Sequence, residues 1–373
     1  MWTQSFDLAF MYIESINIVN YKNIRQAELS FSPKINCFIG NNGMGKTNLL
    51  DAVYFLSFCK SHSNFIDSQN IFHEADFAVL QAKYRMGEAT EEIYCGMKRN
   101  QKKQFKRNKK DYERLSDHIG LLPLVLISPE DSVLISEGSD ERRKFVDGVI
   151  SQYDKKYLHN LLLYNNALKQ RNALLKVETP VDESLFEILE EQMADYGSYI
   201  FEQRTRFIDQ LIPVFQQYYR YISSHENEEI DITYLSHFQQ NDIKKQMKST
   251  RERDKMLGFS TRGIHKDELE MLLNGYPIKR VGSQGQNKTF LVSLKLAQFK
   301  FLKQTHHQPP ILLLDDIFDK LDADRVRKIV ELVSQETFGQ IFITDTNREH
   351  LDQILYQLDQ EAKIFKVENG IIL

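Results

Sequence analysis

Residues 13–19 are rich in β-branched side chains, and Ala27, Leu29 and Phe31 alternate with Glu28, Ser30 and Ser32, the two-residue period of strands with one buried face. Pro33 closes the second of these. Residues 35–39 form a short apolar run, the glycine-rich stretch 40–45 follows, and residues 46–58 have the length and apolar density of a buried helix. The predicted order is strand, glycine loop, helix. Between 77 and 127 short apolar runs flank a highly basic segment, which predicts further strands and a hairpin.

From Asp140 to Tyr221 the period lengthens, and Phe145, Val149, Tyr153, Tyr157 and Leu161 recur at every fourth position as one face of an amphipathic helix. Residues 177–180 interrupt this pattern, and Pro213 kinks or restarts the next helix because it has no ladder N–H. A helical hairpin is the expectation. Residues 223–255 are polar and weakly patterned, whereas 258–281 predict strand pieces with a turn at Gly275-Tyr276-Pro277. Residues 287–304 predict a second strong helix, stopped by Pro309-Pro310, and apolar runs at 311–314 and 341–343 follow. There is no internal repeat and no low-complexity tract.

At 373 residues the chain is long enough for two or three structural units. Apolar residues make up 42% and charged residues 27%, so it is globular and not disordered. No apolar run approaches the roughly 20 residues that span a bilayer, which predicts no membrane helix. The first ten residues carry Asp7, no Lys or Arg and no small-residue cleavage site, so no secretory signal is expected, and Met11 is a candidate start. Cys37, Cys59 and Cys95 form no C-x-x-C pair and cannot all pair, which points to a reducing compartment, the cytoplasm, and against structural zinc. Lys and Arg total 48 against 52 Asp and Glu, a net charge of −4, so any nucleic-acid contact must come from a local patch.

Gly40-Asn41-Asn42-Gly43-Met44-Gly45-Lys46-Thr47 matches G-x-x-x-x-G-K-[ST], whose glycines let backbone N–H groups turn inward around phosphate oxygens at a helix N-terminus. Nucleotide binding is the inference. Lys46 would bridge the β- and γ-phosphates, Thr47 would place its hydroxyl on Mg²⁺, and Asn48 belongs to the same set. Residues 311–316, Ile-Leu-Leu-Leu-Asp-Asp, read as a buried parallel strand ending in two acids. Asp315 would hold the magnesium through water, and Asp316 would orient or deprotonate the attacking water. A helix cap after a core strand is the plainer reading of these acids taken alone.

Ser283-Gln284-Gly285-Gln286, just before the predicted helix at 287, combines a hydroxyl, a small residue and a helix N-terminus into a second anion site. One chain cannot readily use both sites on one phosphate. Two copies facing head to tail could, with Ser283 and Gly285 of one completing the γ-phosphate shell of the other. Phe318-Asp319-Lys320-Leu321-Asp322 would then sit against the partner, and Thr344-Asp345-Thr346 ends a strand where it could sense the γ-phosphate.

Between Lys98 and Arg114 there are nine Lys or Arg residues and two acids, with Phe105 and Tyr112 interleaved. Such a patch could neutralise several DNA phosphates through Lys102, Lys103, Lys106, Arg107, Lys109 and Lys110, or could be a solvated charged hairpin. Arg142 and Arg143 are placed to hold a carboxylate across a lobe interface. His306-His307 at a helix end suits the helix dipole and not a metal.

With these motifs in place, the chain from Met11 onward resembles the bacterial RecF family of recombination mediators, relatives of the ABC-type heads of Rad50 and SMC proteins. The resemblance rests on the glycine loop and on Asn20-Tyr21-Lys22-Asn23, Ser128-Pro129-Glu130-Asp131, Arg142-Arg143-Lys144-Phe145-Val146-Asp147, residues 170–176 and Gly282-Ser283-Gln284-Gly285-Gln286. It implies an α/β fold: a P-loop, ABC-type ATPase head with a mixed sheet and flanking helices, built from residues 1–118 and 286–373. A second, mainly helical lobe would span 119–285. Lys22 and Asn23 would join the nucleotide site. It also implies ATP-dependent homodimerisation on single- and double-stranded DNA at gaps or junctions, RecR and RecO as partners, and a role in loading RecA. Asp316 stands where the SMC-type relatives carry glutamate, so slow hydrolysis is implied. Residues 262–268 and Ser139-Asp140 depart from the family wording. No long heptad stretch separates the halves, which disfavours a Rad50- or SMC-like protein. A small-molecule kinase, which has no need of the Ser283 element, is a reading from another class, and a transporter ATPase subunit would predict a membrane partner and leave the basic hairpin without a rationale.

Overall fold

The computed structural model describes residues 11–179, 182–223, 227–240, 242–318, 321–334, 338–346, 348, 351, 355 and 362–373. The chain divides into two compact units, one of residues 1–131, 221–223 and 291–373, the other of residues 132–220 and 224–290.

The first unit opens with β1 (Tyr12–Tyr21) and β2 (Ile24–Ser30), an antiparallel pair with one face buried, as the alternation predicts. β3 (Ile35–Ile39) leads through the glycine loop into helix α1 (Lys46–Phe58). Next come β4 (Phe77–Met86), β5 (Ala89–Lys98), β6 (Gln104–Arg107), β7 (Lys110–Asp111) and β8 (Leu124–Ile127). The order β2-β1-β4-β5-β6-β7 makes one six-stranded sheet.

The chain then builds the second unit. Helices α2 (Val133–Ser136), α3 (Ser139–Tyr153), α4 (Lys155–Leu174) and α5 (Glu183–Ser223) come first. β9 (Ile230–Leu235), α6 (Ile243–Ser249), α7 (Arg251–Leu257), β10 (Glu268–Leu273), β11 (Tyr276–Pro277) and α8 (Ile278–Val281) follow. Helix α9 (Gln284–His306) carries the chain back to first-unit residues. There β12 (Ile311–Asp315), α10 (Ala323–Ser334), β13 (Ile341–Asp345), β14 (Ala362–Glu368) and β15 (Ile371–Ile372) complete the described elements.

The second sheet of the first unit has the order β15-β14-β3-β13-β12-β8, parallel throughout except for β15. Its strands β8, β12 and β13 are buried at every position, which is why they read as continuous apolar runs. α1 buries Leu49, Leu50, Ala52, Val53, Phe55 and Leu56 in the unit's core. β8 pairs in parallel with β12, so residues 119–131 belong with the first unit and not with the second, contrary to a boundary at 118. The other boundary falls inside α9 after Phe290, five residues beyond the expected 285.

In the second unit the expected helical hairpin is three longer helices. The four-residue repeat through Tyr153 and Tyr157 is broken by Asp154, whose backbone is extended and whose carboxylate caps α4 by accepting from Tyr157 N. The buried face accordingly holds Val146, Val149, Ile150, Tyr157 and Tyr164, while Phe145 and Leu161 are half-buried. α5 runs through Pro213 without a restart. The β10–β11 turn is Asn274-Gly275, with φ of 51° and 77°, one residue before the expected Gly275-Tyr276-Pro277; this pair of left-handed residues suits a two-residue hairpin. Pro180 lies outside the described residues.

Two buried guanidinium networks tie this unit together. Arg171 reaches Glu190 at 2.9 Å and Asp254 at 2.8 Å, and Arg204 reaches Asp267 at 2.7 Å and Asp147 at 2.9 Å. Arg142 forks Glu268 at 2.8 and 3.0 Å, and Arg143 bonds the Asp267 carbonyl. Both arginines thus act within the unit rather than across a lobe interface.

Candidate nucleotide-binding site

The glycine loop joins β3 to α1, and three of its positions are glycine for separate reasons. A Cβ on Gly40 would lie 2.2 Å from the Val367 carbonyl oxygen, whereas Gly43 and Gly45 have φ of 80° and 112°. Gly45 starts α1 in a left-handed conformation, and the helix has no acid in its first turn, so its N–H groups and positive dipole end are kept for an anion.

Lys46 is 3% exposed, and its ammonium donates to the Gly40 carbonyl at 2.8 Å and the Asn41 carbonyl at 3.2 Å. It lies 4.0 Å from Asp316 Oδ2. The loop therefore wraps its own lysine. Thr47 Oγ1 donates to Asp315 with 3.0 and 2.9 Å to the two oxygens, and Thr344 Oγ1 donates to Asp315 Oδ1 at 2.7 Å while accepting from Asp316 N at 2.9 Å. Burial pushes the Asp315 carboxyl up from the usual carboxylate range and the Asp316 charge adds to this, while the two threonine hydroxyls and the Lys46 charge pull it back.

One hydroxyl and one buried, under-compensated carboxylate form a hard oxygen donor set that fits Mg²⁺. Asp316 has a left-handed φ of 45°, which turns the chain sharply after β12.

Asn23 sits against the loop, since a Cβ on Gly45 would meet its Oδ1 at 2.8 Å, and it accepts from Asn48 Nδ2 at 2.7 Å. Lys22 is committed elsewhere: its ammonium lies 2.6 Å from Asp51 Oδ2 and 2.7 Å from Ser63 Oγ. Asp51 also accepts from the Tyr21 hydroxyl at 2.6 Å, the Ser61 hydroxyl at 2.8 Å and His62 N at 2.7 Å. Sequence reading missed this hub. Its signal was present, because Asp51 is an acid among the buried apolar positions of α1.

The Ser283 element sits in the second unit. α9 starts at Gln284, three residues before the expected 287, so Gly285 and Gln286 lie inside its first turn. Ser283 N donates to Gln286 Oε1 at 2.8 Å and Gln286 N donates to Ser283 Oγ at 3.2 Å, a reciprocal capping box. The Ser283 hydroxyl hydrogen is not used by this cap. Gln286 Nε2 is engaged by Glu228 at 2.8 Å.

Leu321 and Asp322 precede α10, where Asp322 Oδ1 accepts from Arg325 N at 2.9 Å, while Asp319 and Lys320 lie outside the described residues. Thr346 is exposed beyond β13.

The basic segment forms β6, β7 and a tight turn at Asn108-Lys109, with φ of 50° and 67°. Lys102, Lys109 and Lys110 are exposed. Lys103 instead pairs with Asp67 at 3.0 Å, Lys106 lies 3.9 Å from Asp111, and Arg107 forks Glu91 at 2.8 Å on both arms. Phe105 is 3% exposed and packs on His118 at 4.8 Å, so it is core and not a stacking platform. His306 ends α9 and His307 follows with φ of 56°.

A mainly parallel sheet whose β3 carries a glycine loop, and whose β12, one strand removed, carries an acid pair, together with the antiparallel sheet of the same unit, defines the ABC-type ATPase head fold. The RecF/RecN/SMC N-terminal domain model matches residues 12–373. The chain is 62% identical over 363 residues to the DNA replication and repair protein RecF of Bacteroides fragilis, spanning 97% of this chain and 98% of that one. Identity to the same-named protein of Porphyromonas gingivalis is 49% over 365 residues, 97% of this chain and 100% of that one. A solved structure of the recombination mediator protein RecF with ATP, in the RecFOR pathway, superposes with a TM-score of 0.88 at 29% identity, covering 99% of each chain. The Smc head domain of Pyrococcus furiosus, bound to the C-terminal domain of ScpA, matches at a TM-score of 0.58 and 18% identity over 97% of this chain and 95% of that one, a likeness of fold alone. The chain belongs to the RecF family.

Proposed function

We propose that the protein is an ATP-dependent, DNA-binding recombination mediator whose dimer closes on DNA at single-stranded gaps or junctions and is released by slow ATP hydrolysis. The observation that carries this reading is the convergence of the glycine loop, Lys46, Thr47 and Asp315 at the ends of β3 and β12, parallel strands separated by β13. The solved RecF that superposes over nearly the whole chain carries ATP, which supports the same assignment.

The N–H groups of residues 40–48 cradle the phosphates, and the Lys46 ammonium moves from its own loop carbonyls to the β- and γ-phosphates. Thr47 and, through water, Asp315 would hold Mg²⁺, and the cation would offset phosphate charge and align the triphosphate. Asp316 orients the attacking water and takes its proton. Its side chain is one methylene shorter than glutamate, so its reach is poorer and turnover slow. Asn23 supports the loop from the side, while Lys22 acts one step back through Asp51 of α1. Ser283, with Gln284, Gly285 and Gln286, of one copy completes the γ-phosphate shell of the other, so nucleotide and dimer are coupled. Lys102, Lys109 and Lys110 contact DNA phosphates, and Lys103, Lys106 and Arg107 shape the hairpin that presents them.

By family membership the reading extends to RecO and RecR as partners, RecA loading in gap repair, replication restart, SOS induction, and action in the cytoplasm. Steady-state ATP turnover tests it: the rate per protein should rise with gapped DNA and with protein concentration. A rate per protein independent of both contradicts the clamp and favours an ordinary monomeric phosphoryl-transfer enzyme.

A further inference from the structure

The C-terminal residues do not end as a loose tail. β14 pairs in parallel with β3, the strand that feeds the glycine loop, through Ile364 with Cys37, Phe365 with Phe38 and Lys366 with Ile39. It then turns back at Asn369-Gly370 into β15, with φ of 50° and 78° at the turn, a pair suited to a two-residue hairpin. The last residue is tied in as well, because Leu373 and Lys366 exchange backbone hydrogen bonds of 2.9 Å in each direction.

This hairpin meets the glycine loop at several points. Gly370 N donates to the Met44 carbonyl at 2.8 Å, and Asn369 N points at Met44 Sδ at 3.2 Å. The Val367 carbonyl occupies the space a side chain on Gly40 would need, 2.2 Å from a Cβ there. A Cβ on Gly370 would lie 2.1 Å from the Asn23 carbonyl oxygen, and Asn23 in turn packs against Gly45. The turn thus grips the loop through Met44 and, through Asn23, through Gly45.

Peptide planarity gives this grip a consequence. The Met44 carbonyl and the Gly45 N–H belong to one trans peptide and point in opposite directions, so fixing the first fixes the second. A hydrogen bond from Gly370 therefore holds the Gly45 N–H pointing away from the hairpin, in the loop whose N–H groups have to converge on an anion. We propose that the Asn369-Gly370 turn is a positioning element that pre-organises the Met44–Gly45 peptide for the triphosphate, with Gly370 as its key residue. This rests on the nucleotide reading above.

Preorganisation acts through the cost of ordering a loop on binding, so its loss weakens affinity without removing any atom that touches the ligand. By reciprocity, bound nucleotide must also steady the turn.

The test is an ATP titration by calorimetry on the full chain, comparing wild type, Gly370→Ala and Asn369→Gly, with melting curves alongside. Gly370→Ala puts a methyl group against Asn23 at a left-handed position and is expected to weaken ATP about tenfold. Asn369→Gly keeps the N–H and the turn and is expected to bind as wild type. A Gly370→Ala protein that melts earlier yet binds ATP with wild-type affinity overturns the proposal, because a merely structural role moves only the melting curve. Should that variant not fold, hydrogen exchange on the wild type decides. ATP should slow exchange in residues 365–373 as well as in 40–48, and protection confined to 40–48 overturns the brace. Absence of ATP binding by the wild type overturns the nucleotide reading and this inference together, whereas equal binding by both proteins overturns this inference alone.

Discussion

Thr47 Oγ1 donates to Asp315 Oδ2 at 2.9 Å across 268 positions of sequence, joining the first turn of α1 to the end of β12. Thr344 Oγ1 reaches the same carboxylate at 2.7 Å. Two hydroxyls thus hold a buried acid whose charge the protein leaves under-compensated, the arrangement expected where a cation completes the site.

Asp315→Asn keeps the shape and can still bond both hydroxyls, but it loses the charge. The variant should bind ATP with an affinity that no longer rises when Mg²⁺ is added, measured by calorimetry with and without the metal. An undiminished Mg²⁺ effect contradicts the assignment.

Lys46→Met removes an ammonium that now bonds two loop carbonyls. Charge-assisted contacts to phosphate are worth roughly 1.5–3 kcal/mol, so ATP affinity should fall about 10- to 100-fold. A change below about twofold would show that Lys46 serves the loop alone.

His265 links the second unit's fold to pH. Its Nε2–H donates to the Ser260 carbonyl at 3.0 Å, so that Nδ1 of the neutral ring accepts from the Tyr164 hydroxyl at 2.8 Å. Burial lowers its pKa from 6.5 to about 4, with the Lys266, Arg143 and His237 charges adding to this and the Ser260 carbonyl opposing it. Because the folded value is depressed, the stability it contributes is complete above pH 6.5 and is lost as pH falls toward 4, by up to about 3 kcal/mol. Burial also raises Asp267, which acts in the opposite sense on acidification. The difference between wild type and His265→Gln isolates the histidine: the two stability curves should converge as pH drops from 7 to 4. Parallel curves contradict this.

The strand, glycine loop and helix of the candidate phosphate site were legible because their residues are contiguous, and they fall where periodicity and the glycines place them. Asp315 was legible for the same reason, as the polar end of a strand buried on both faces. What escaped reading were interactions between distant segments. Asp51 looks like a stray acid until Tyr21, Lys22, Ser61 and His62 converge on it. The repeat from Phe145 to Leu161 suggested one continuous face, but a cap at Asp154 resets the helix, and caps depend on side-chain geometry that periodicity does not register. In the basic segment, counting charges could not distinguish Lys109, which is exposed, from Arg107, which is spent on Glu91.

That last distinction predicts DNA behaviour. Replacing Lys102, Lys109 and Lys110 together by Gln should weaken duplex binding and flatten the dependence of log K on log salt by about 0.9 for each phosphate no longer neutralised. Lys103→Gln, which breaks an ion pair with Asp67, should lower the melting temperature and leave that slope unchanged. An unaltered slope in the triple variant removes this hairpin from the DNA interface.

The proposed sharing of an active site between two copies is tested most directly by light scattering during size exclusion, with and without ATP, on wild type and Ser283→Asp. Aspartate is as good a helix cap as serine, so α9 should keep its start, but its charge opposes a γ-phosphate from a second copy. The account predicts an ATP-dependent dimer for the wild type and, for the variant, ATP binding of unchanged affinity with the mass of a monomer. A variant that still dimerises with ATP contradicts it.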